Sequence, residues 1–227
     1  MISSKKALIM KKIFYLVALV AISLLFVQCE QNGMGSSASG AHNGHEYVDL
    51  GLPSGLKWAT CNVGAESLEG YGDYFAWGEV KPKEDYSWET YKYEIEDNLI
   101  KYNGSDGKIV LDVEDDAASV NWGGNWRMPT TEEQQELFNN CTWTWTTQNG
   151  VNGYNVTGPN GNSIFLPAAG CMDGGRFYDA GLYGIYWLSS LNADSLGIAY
   201  SVGFSSGNVG WYGNSLYHGL TVRPVCK

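Results

Sequence analysis

Residues 122–138, WGGNWRMPTTEEQQELF, constrain this chain more than any other stretch. Thr130 followed three residues later by Glu133 is a capping box. The hydroxyl accepts from an otherwise unpaired amide of the first helical turn, and the carboxylate reaches back to the N–H of the cap residue. Pro129 disfavours helical backbone at the residue before it, so no earlier helix runs into this one. Glu132, Glu133 and Glu136 place negative charge near the positive end of the helix dipole. The pattern predicts a helix over Thr131–Asn140. Just upstream lie two glycines and two tryptophans, with Arg127 between Trp126 and Met128. A tight glycine turn beside large rings is packed architecture rather than a reactive centre.

The front of the chain is a targeting signal. Residues 13–27 are almost wholly apolar and follow Lys11 and Lys12. The run is short for a membrane span and has the length of a signal-peptide core. Met10 opens a complete signal of its own, so residues 1–9 lie upstream of the expected start. Cys29 closes the run and resembles the lipidated cysteine of a bacterial lipoprotein, although Gln28 stands where such signals carry a small residue. The expected division is a signal peptide over 1–28, a lipid-anchored flexible tether over 29–44, and one domain over 45–227. The expected location is the cell envelope, as a surface-exposed outer-membrane lipoprotein that touches membrane only through its anchor.

The formal net charge is −10, and residues 1–28 contribute four lysines and no acid, so the remainder is more acidic still. That excludes nucleic acid and anionic membrane surfaces as partners. Eleven acids fall between Glu84 and Asp116. They form a solvated face or, on a sharper reading, a cation site around Asp112, Glu114, Asp115 and Asp116, since hard cations take several oxygens. The spacing is not that of an EF-hand loop, and we assign no metal and no cofactor. An oxidising compartment permits disulfides. Cys61, Cys141, Cys171 and Cys226 allow two bonds in three connectivities, and Cys171–Cys226 is the candidate pair that would tie down the C-terminus. With no CxxC and three histidines, a zinc site is not expected. His42 and His45 sit in the tether, leaving His218 as the domain's histidine, with no nucleophile elbow beside it. Nothing selects a carboxylate pair for glycoside hydrolysis.

From His45 onward the pattern is that of short strands and loops. Residues 47–50 and 56–60 alternate around a GLPSG turn, and 64–72 is a loop. Residues 74–77 are apolar and buried. Residues 81–108 are a polar, tyrosine-rich insertion with one short helix near 87–93, and 115–120 forms another helical turn. After the 131–140 helix, TWTWTT at 142–147 alternates strictly and is a strand. Residues 153–157 and 163–166 form a hairpin around Asn160-Gly161, a primed-turn pair. Further strands are expected at 186–190, 197–204 and 220–225, separated by Gly/Asn/Tyr-rich loops. The fold class is α+β.

Several segments together resemble one family. They are YVDLGLPSGLKWATCNVGA (47–65), GDYFAWGE (72–79), WGGNWRMPTTEEQQEL (122–137), GVNGYNVTGPNGNSIFLPAAG (150–170), YGIYWLSS (183–190) and TVRPV (221–225). They look like the Fibrobacter succinogenes major paralogous domain, found in exported proteins of gut Bacteroidetes, over nearly all of 46–226. RMPTTEEQQEL and the closing VRPV are more distantly similar to the formylglycine-generating enzyme, a variant of the C-type lectin fold. The resemblance implies short helices around a small twisted antiparallel sheet, rich in loops, with the strand near Tyr47 pairing with the one near Val222. That enzyme's close cysteine pair for copper is missing here, and fold alone does not confer activity.

The resemblance also implies loop display for recognition. After Gly170, the residues Arg176, Phe177, Tyr178, Tyr183, Asn192, Asn208, Trp211, Tyr212, Asn214, Tyr217 and His218 mix flat rings with adaptable amides, as recognition loops do. Some proteins of this fold group vary their sequence in this C-terminal part. The expected function is a non-enzymatic, lipid-anchored binding module for glycan or protein. The alternatives are a structural subunit of a surface or fimbria-like assembly and, remotely, an enzyme whose site no motif marks.

Overall fold

In the computed structural model, residues 39–95 and 98–227 are described. The signal peptide, Cys29 and the first part of the tether lie outside them. The tether's last residues do not hang free. β1 (Gly40–His42) pairs with β2 (His45–Asp49), which pairs with β3 (Lys57–Ala59), which pairs with β14 (Val225–Cys226). The ordered chain thus begins before His45. The Tyr47 strand β2 and the last strand β14 share this sheet, but β3 stands between them. Tyr47 faces Ala59 rather than Val222, and the Val222 carbonyl instead accepts from Val63 N–H at 3.0 Å. The 220–225 strand shrinks to two residues, since Arg223 and Pro224 break its ladder.

Short hairpins connect this sheet to the rest. β4 (Glu94–Ile95) and β5 (Asn98–Leu99) pair within the insertion, and β9 (Cys171–Asp173) pairs with β10 (Arg176–Tyr178). Two three-stranded antiparallel sheets carry most of the fold: β6 (Thr142–Gln148), β7 (Val151–Thr157) and β8 (Ser163–Pro167), then β11 (Gly184–Leu191), β12 (Ile198–Ser205) and β13 (Asn208–Ser215). Among the described residues, two α-helices, α1 (Ala117–Trp122) and α2 (Thr131–Asn140), and two single-turn 3-10 helices at Trp88–Thr90 and Val113–Asp115 complete it. The architecture is α+β, dominated by short strands and rich in loops. Among the described residues no helix is long and apolar enough to cross a membrane.

Helix α2 begins and ends where its sequence predicts. Thr130 Oγ1 accepts from Glu133 N–H at 3.4 Å, and Glu133 Oε2 accepts from Thr130 N–H at 3.0 Å. The same carboxylate takes a two-pronged contact from Arg127. The primed Asn-Gly turn lies elsewhere than expected. Gln148 pairs with Val151, so Asn149 and Gly150 form the two-residue turn, both at positive φ (49° and 84°). Asn160-Gly161 belongs to a longer loop, where the Asn160 side chain donates to the Asp49 carbonyl at 2.8 Å and accepts from Asn162 N–H.

The β11–β12–β13 sheet lies between two cores. Tyr186, Leu188, Val202 and Phe204 face the core shared with β2, β3, α2, β7 and β8. The alternate residues Trp187, Leu191 and Ala199 face the core of Phe75, Trp77, Met128 and the tyrosines of the insertion. Two buried indoles fix segment 74–77 to β11. Trp77 Nε1 donates to the Leu188 carbonyl and Trp187 Nε1 to the Phe75 carbonyl, each at 2.7 Å.

Burial raises the pKa of Tyr74, Tyr86, Tyr91, Tyr93, Tyr102, Tyr154 and Tyr186, the last to about 12. An acid whose pKa is raised by folding contributes stability that is complete below its unfolded value, about 10 for tyrosine, and is lost as pH climbs through the folded value. Arg223, lowered by burial to about 10, has the opposite sign, but it is one group against seven. We therefore expect stability to fall steeply above about pH 10, with most tyrosinate absorbance appearing cooperatively at unfolding. A gradual tyrosinate rise that leaves the fold intact would contradict this.

Candidate functional site

The ring-rich surface centres on the β9–β10 hairpin. Its backbone is held at two points along the β9 side. Gly174 exchanges two hydrogen bonds with Tyr86 (2.8 and 2.9 Å), and Met172 exchanges two with Gly219 (2.8 and 2.9 Å). Side chains alternate along β10. Phe177 leans on Tyr74 at 5.3 Å between ring centres and on Tyr71 at 6.4 Å, and Arg176 and Tyr178 leave from the other face. The chain then turns at Asp179, a non-glycine at φ 58°. The Asp179 carbonyl accepts from the N–H groups of Leu182 and Tyr183 at 3.0 and 2.9 Å. Gly170 permits the close return, because a Cβ there would meet the Tyr178 carbonyl oxygen at 2.1 Å. The loop and the hairpin therefore share one rigid base. Phe177 (48%), Tyr178 (40%), Leu182 (62%) and Tyr183 (47%) remain exposed on it, beside exposed Arg176.

The other expected binding residues lie elsewhere. Asn192 shapes a turn, its Oδ1 accepting from Asp194 N–H at 3.1 Å. The 207–218 run, expected as a loop, contains β13, paired with β12 from Asn208 to Ser215. Trp211 and Tyr212 are consecutive on that strand and so project from opposite faces. Trp211 packs edge-on against Phe138 at 5.4 Å, and Phe138 against Trp143 at 5.2 Å. Tyr212 lies over Gly203, where a Cβ would come within 2.5 Å of the ring. Its hydroxyl accepts from Asn208 Nδ2. Asn214 donates to Ser201 Oγ at 2.7 Å, a bond within the sheet. Tyr217 packs on Trp88 at 5.0 Å. His218 stands 3.9 Å from Asp173, and burial lowers its pKa against that carboxylate's pull.

Of the nine expected ligand contacts, then, Arg176, Tyr178 and Tyr183 lie on this hairpin and the loop that follows it, and His218 stands beside the hairpin's Asp173. Asn192, Trp211, Tyr212, Asn214 and Tyr217 lie on other elements. The sequence marked neither exposed Leu182 beside these residues nor Tyr71 and Tyr74, which back Phe177 on the hairpin's other face. The two tyrosines stand in YGDY, where only their ring chemistry hinted at the role.

No family model, curated protein or solved structure matches this chain.

The acidic run is occupied by the protein's own groups. Asp115 is buried and takes Lys92 (3.0 Å), Lys101, and the hydroxyls of Tyr93 and Tyr102 (the latter at 2.9 Å). Asp112 pairs with Lys101 and Lys108. Asp116 caps α1 through Ser119 N–H at 2.9 Å and accepts from Met128 N–H at 2.8 Å. These carboxylates serve lysines and amides, which overturns the cation reading of 112–116. Among the described residues no group of three or more His, Cys, Asp or Glu is placed to hold a metal ion.

The disulfide expectation is likewise corrected. Cys141, Cys171 and Cys226 are free thiols. Cys171 lies on the β9 hairpin and Cys226 on β14, in different sheets and different cores, so no Cys171–Cys226 bond forms. Burial raises all three thiol pKa values, that of Cys141 to about 11, which leaves them protonated and poor nucleophiles at neutral pH. The two histidines assigned to the tether are also placed otherwise. The His42 carbonyl accepts from Trp126 Nε1 at 2.8 Å, and the His45 ring stacks on Trp122 at 3.8 Å.

Proposed function

We propose that this protein is a lipid-anchored binding module of the cell envelope with a C-type-lectin-like fold. It is non-enzymatic and recognises glycan or protein through the surface of Arg176, Tyr178, Leu182 and Tyr183. The observation that carries the reading is the concentration of exposed rings on and beside a hairpin whose β9 edge is hydrogen-bonded to the body at two points. Rigid aromatic side chains give large contact area at little entropic cost, and an adjacent arginine adds a multivalent donor. An exposed apolar patch of this kind on a folded domain marks a contact surface. The acidic surface disfavours nucleic acid, and export supplies the anchored context.

The double variant Tyr178→Ala/Tyr183→Ala tests the reading, in the full-length protein purified in detergent. Capture of envelope glycans on an array, and of crosslinked partners from intact cells, is expected to drop about tenfold or more. The melting temperature should hardly move, since both rings are exposed. Capture at the wild-type level from the double variant would sink the reading.

A structural subunit is the second reading, and one observation favours it. β6 (TWTWTTQ) and β13 (NVGWYGNS) are edge strands of their sheets, seven and eight residues long, with neither charge nor proline. Natural edges are normally guarded by such residues, and unguarded ones accept a further strand. Lysines introduced at Thr144 and Gly210 would abolish assembly on this reading and leave capture intact on the first.

A further inference from the structure

Beside helix α2, in the core that packs it on β3, β8, β11 and β12, lies a cavity of about 10 Å³. That is room for one water-sized sphere or a monatomic ion. Every residue lining it is buried. Three polar side chains meet there, Trp58 of β3, Gln134 of α2 and Arg223 of the C-terminal segment, among apolar walls that include Leu166, Leu188 and Val202. We infer that this cavity binds a halide ion, chloride in ordinary surroundings, as the counter-ion of Arg223.

The charge comes first. Arg223 is 2% exposed, and its partners among the described residues are the Asn62 amide oxygen and the carbonyls of Ala59, Thr60 and Phe165. All four are neutral. They account for four of the five N–H donors of a guanidinium and leave one on Nη2. Burial lowers the pKa to about 10, so the group still carries its charge at neutral pH. A charge this deep is costly unless an opposite charge sits beside it. No Asp or Glu is among the residues lining the cavity, so no side chain there supplies one.

The two other polar groups are donors without acceptors. Trp58 Nε1 and Gln134 Nε2 are buried and have no hydrogen-bond partner among the described residues. The residues themselves are 2% and 3% exposed. Native interiors supply a partner for nearly every such group, since an unpaired buried donor is destabilising. Two orphan donors and an unbalanced cation on one cavity specify that partner. It accepts from several N–H groups, donates nothing and carries negative charge.

A water molecule meets the first requirement alone. It must also place two hydrogens of its own, and acceptors around the cavity are already engaged. The Pro129 carbonyl accepts twice from Ser189, from N–H at 2.9 Å and from Oγ at 3.2 Å. The Leu188 carbonyl accepts from Trp77 Nε1 at 2.7 Å. Tyr186 Oη donates to the Pro167 carbonyl and accepts from Asn62 Nδ2. Phosphate, sulfate and carboxylate ligands are too bulky for a cavity of this size. A halide is not, and its weakly hydrated surface suits leucine and valine walls.

The test uses the full-length protein with bromide as the probe. Crystals soaked in sodium bromide, measured at the bromine absorption edge, are expected to show an anomalous peak in the cavity, between Trp58 Nε1 and Gln134 Nε2. In solution at constant ionic strength, the melting temperature should rise as acetate is exchanged for chloride or bromide, because a ligand bound only by the folded state stabilises it. Trp58→Phe removes one donor and should weaken the apparent halide affinity about tenfold. Gln134→Glu brings a carboxylate of nearly the same shape to the cavity, so it should abolish both the peak and the halide response. That variant keeps the question answerable if Trp58→Phe unfolds. No bromine peak in the cavity, a peak without any halide response in solution, or a response that Gln134→Glu leaves intact would each overturn the inference. The ring patch is untouched by these variants, so every one of these results leaves the proposed function to its own test.

Discussion

Replacing Arg223 with methionine is expected to cost about 3–5 kcal/mol of folding stability. Arg223 is 2% exposed, and its partners among the described residues are all neutral. Nε donates to Asn62 Oδ1 at 2.8 Å, Nη1 to the carbonyls of Ala59 (3.1 Å) and Thr60 (3.0 Å), and Nη2 to that of Phe165 (2.9 Å). Two effects oppose each other. A buried charge without a counter-ion is expensive, and burial accordingly pulls this pKa down to about 10. Methionine would relieve that cost. It would also leave four oxygens aimed at a thioether, at about 1–3 kcal/mol for each one that finds no other donor. The second effect wins, because the guanidinium fork joins the end of β3, strand β8 and the C-terminal segment at one point. Arg223→Lys keeps the charge and loses the planar fork, so it should fall between wild type and Arg223→Met. Guanidinium unfolding of the three proteins ranks them; a methionine variant with the wild-type midpoint would mean the oxygens are satisfied without Arg223.

Much of this frame was readable from local rules, and its departures have local causes. The 131–140 helix was legible because cap, carboxylate and proline act within one turn. Strand β6 was legible because period-2 alternation survives without knowledge of its partner. β13 was not. NVGWYGNS alternates poorly and carries two glycines, and its strand character comes from eight consecutive pairs with β12. The pairing of the Tyr47 strand with the last strand was right as to sheet and wrong as to neighbour, because β3 inserts between them. Arg223 looked like part of a motif, and nothing local announced that the chain would bury it. The site divides in the same way. Ring-rich composition after Gly170 pointed to Arg176, Tyr178 and Tyr183, which lie exposed on one hairpin and the loop after it. Trp211 and Tyr212 were grouped by adjacency, which on a strand means opposite faces. Leu182 joins the patch, and the YGDY tyrosines back Phe177, only through tertiary contact. The Cys171–Cys226 pairing failed for a related reason: an even number of thiols in an oxidising compartment allows a pair, and only distance in the fold decides which; Cys61 is disulfide-bonded, while Cys141, Cys171 and Cys226 are free.

Asp115→Asn is expected to loosen the insertion and to lower stability by about 2–4 kcal/mol, toward the lower end of what breaking a buried ion pair costs because Lys92 is half exposed. Asn keeps the shape, removes the charge, and leaves Lys92 and Lys101 without their shared carboxylate. The pH dependence identifies the cause. Burial alone would raise the pKa of Asp115, yet the hydrogen bonds from Lys101, Tyr93, Lys92 and Tyr102 outweigh it and bring it down to about 2. A carboxylate lowered by folding contributes stability that is present above its unfolded value, about 4, and is lost as pH falls toward the folded value. Wild type and Asp115→Asn should therefore differ most near neutral pH and converge as pH approaches about 2. Asp116 has the opposite sign, since burial raises its pKa, but it is unchanged in both proteins and cancels in the difference. Hydrogen exchange adds the location. Amides of 92–95 and 98–102 should exchange faster in the variant, and those of β11 and β12 should not. Equal stability of the two proteins from neutral pH down to about 2 would mean that Asp115 acts through its shape alone. In that case the lysines around it would be surface decoration and not the fastening that holds the insertion to the domain.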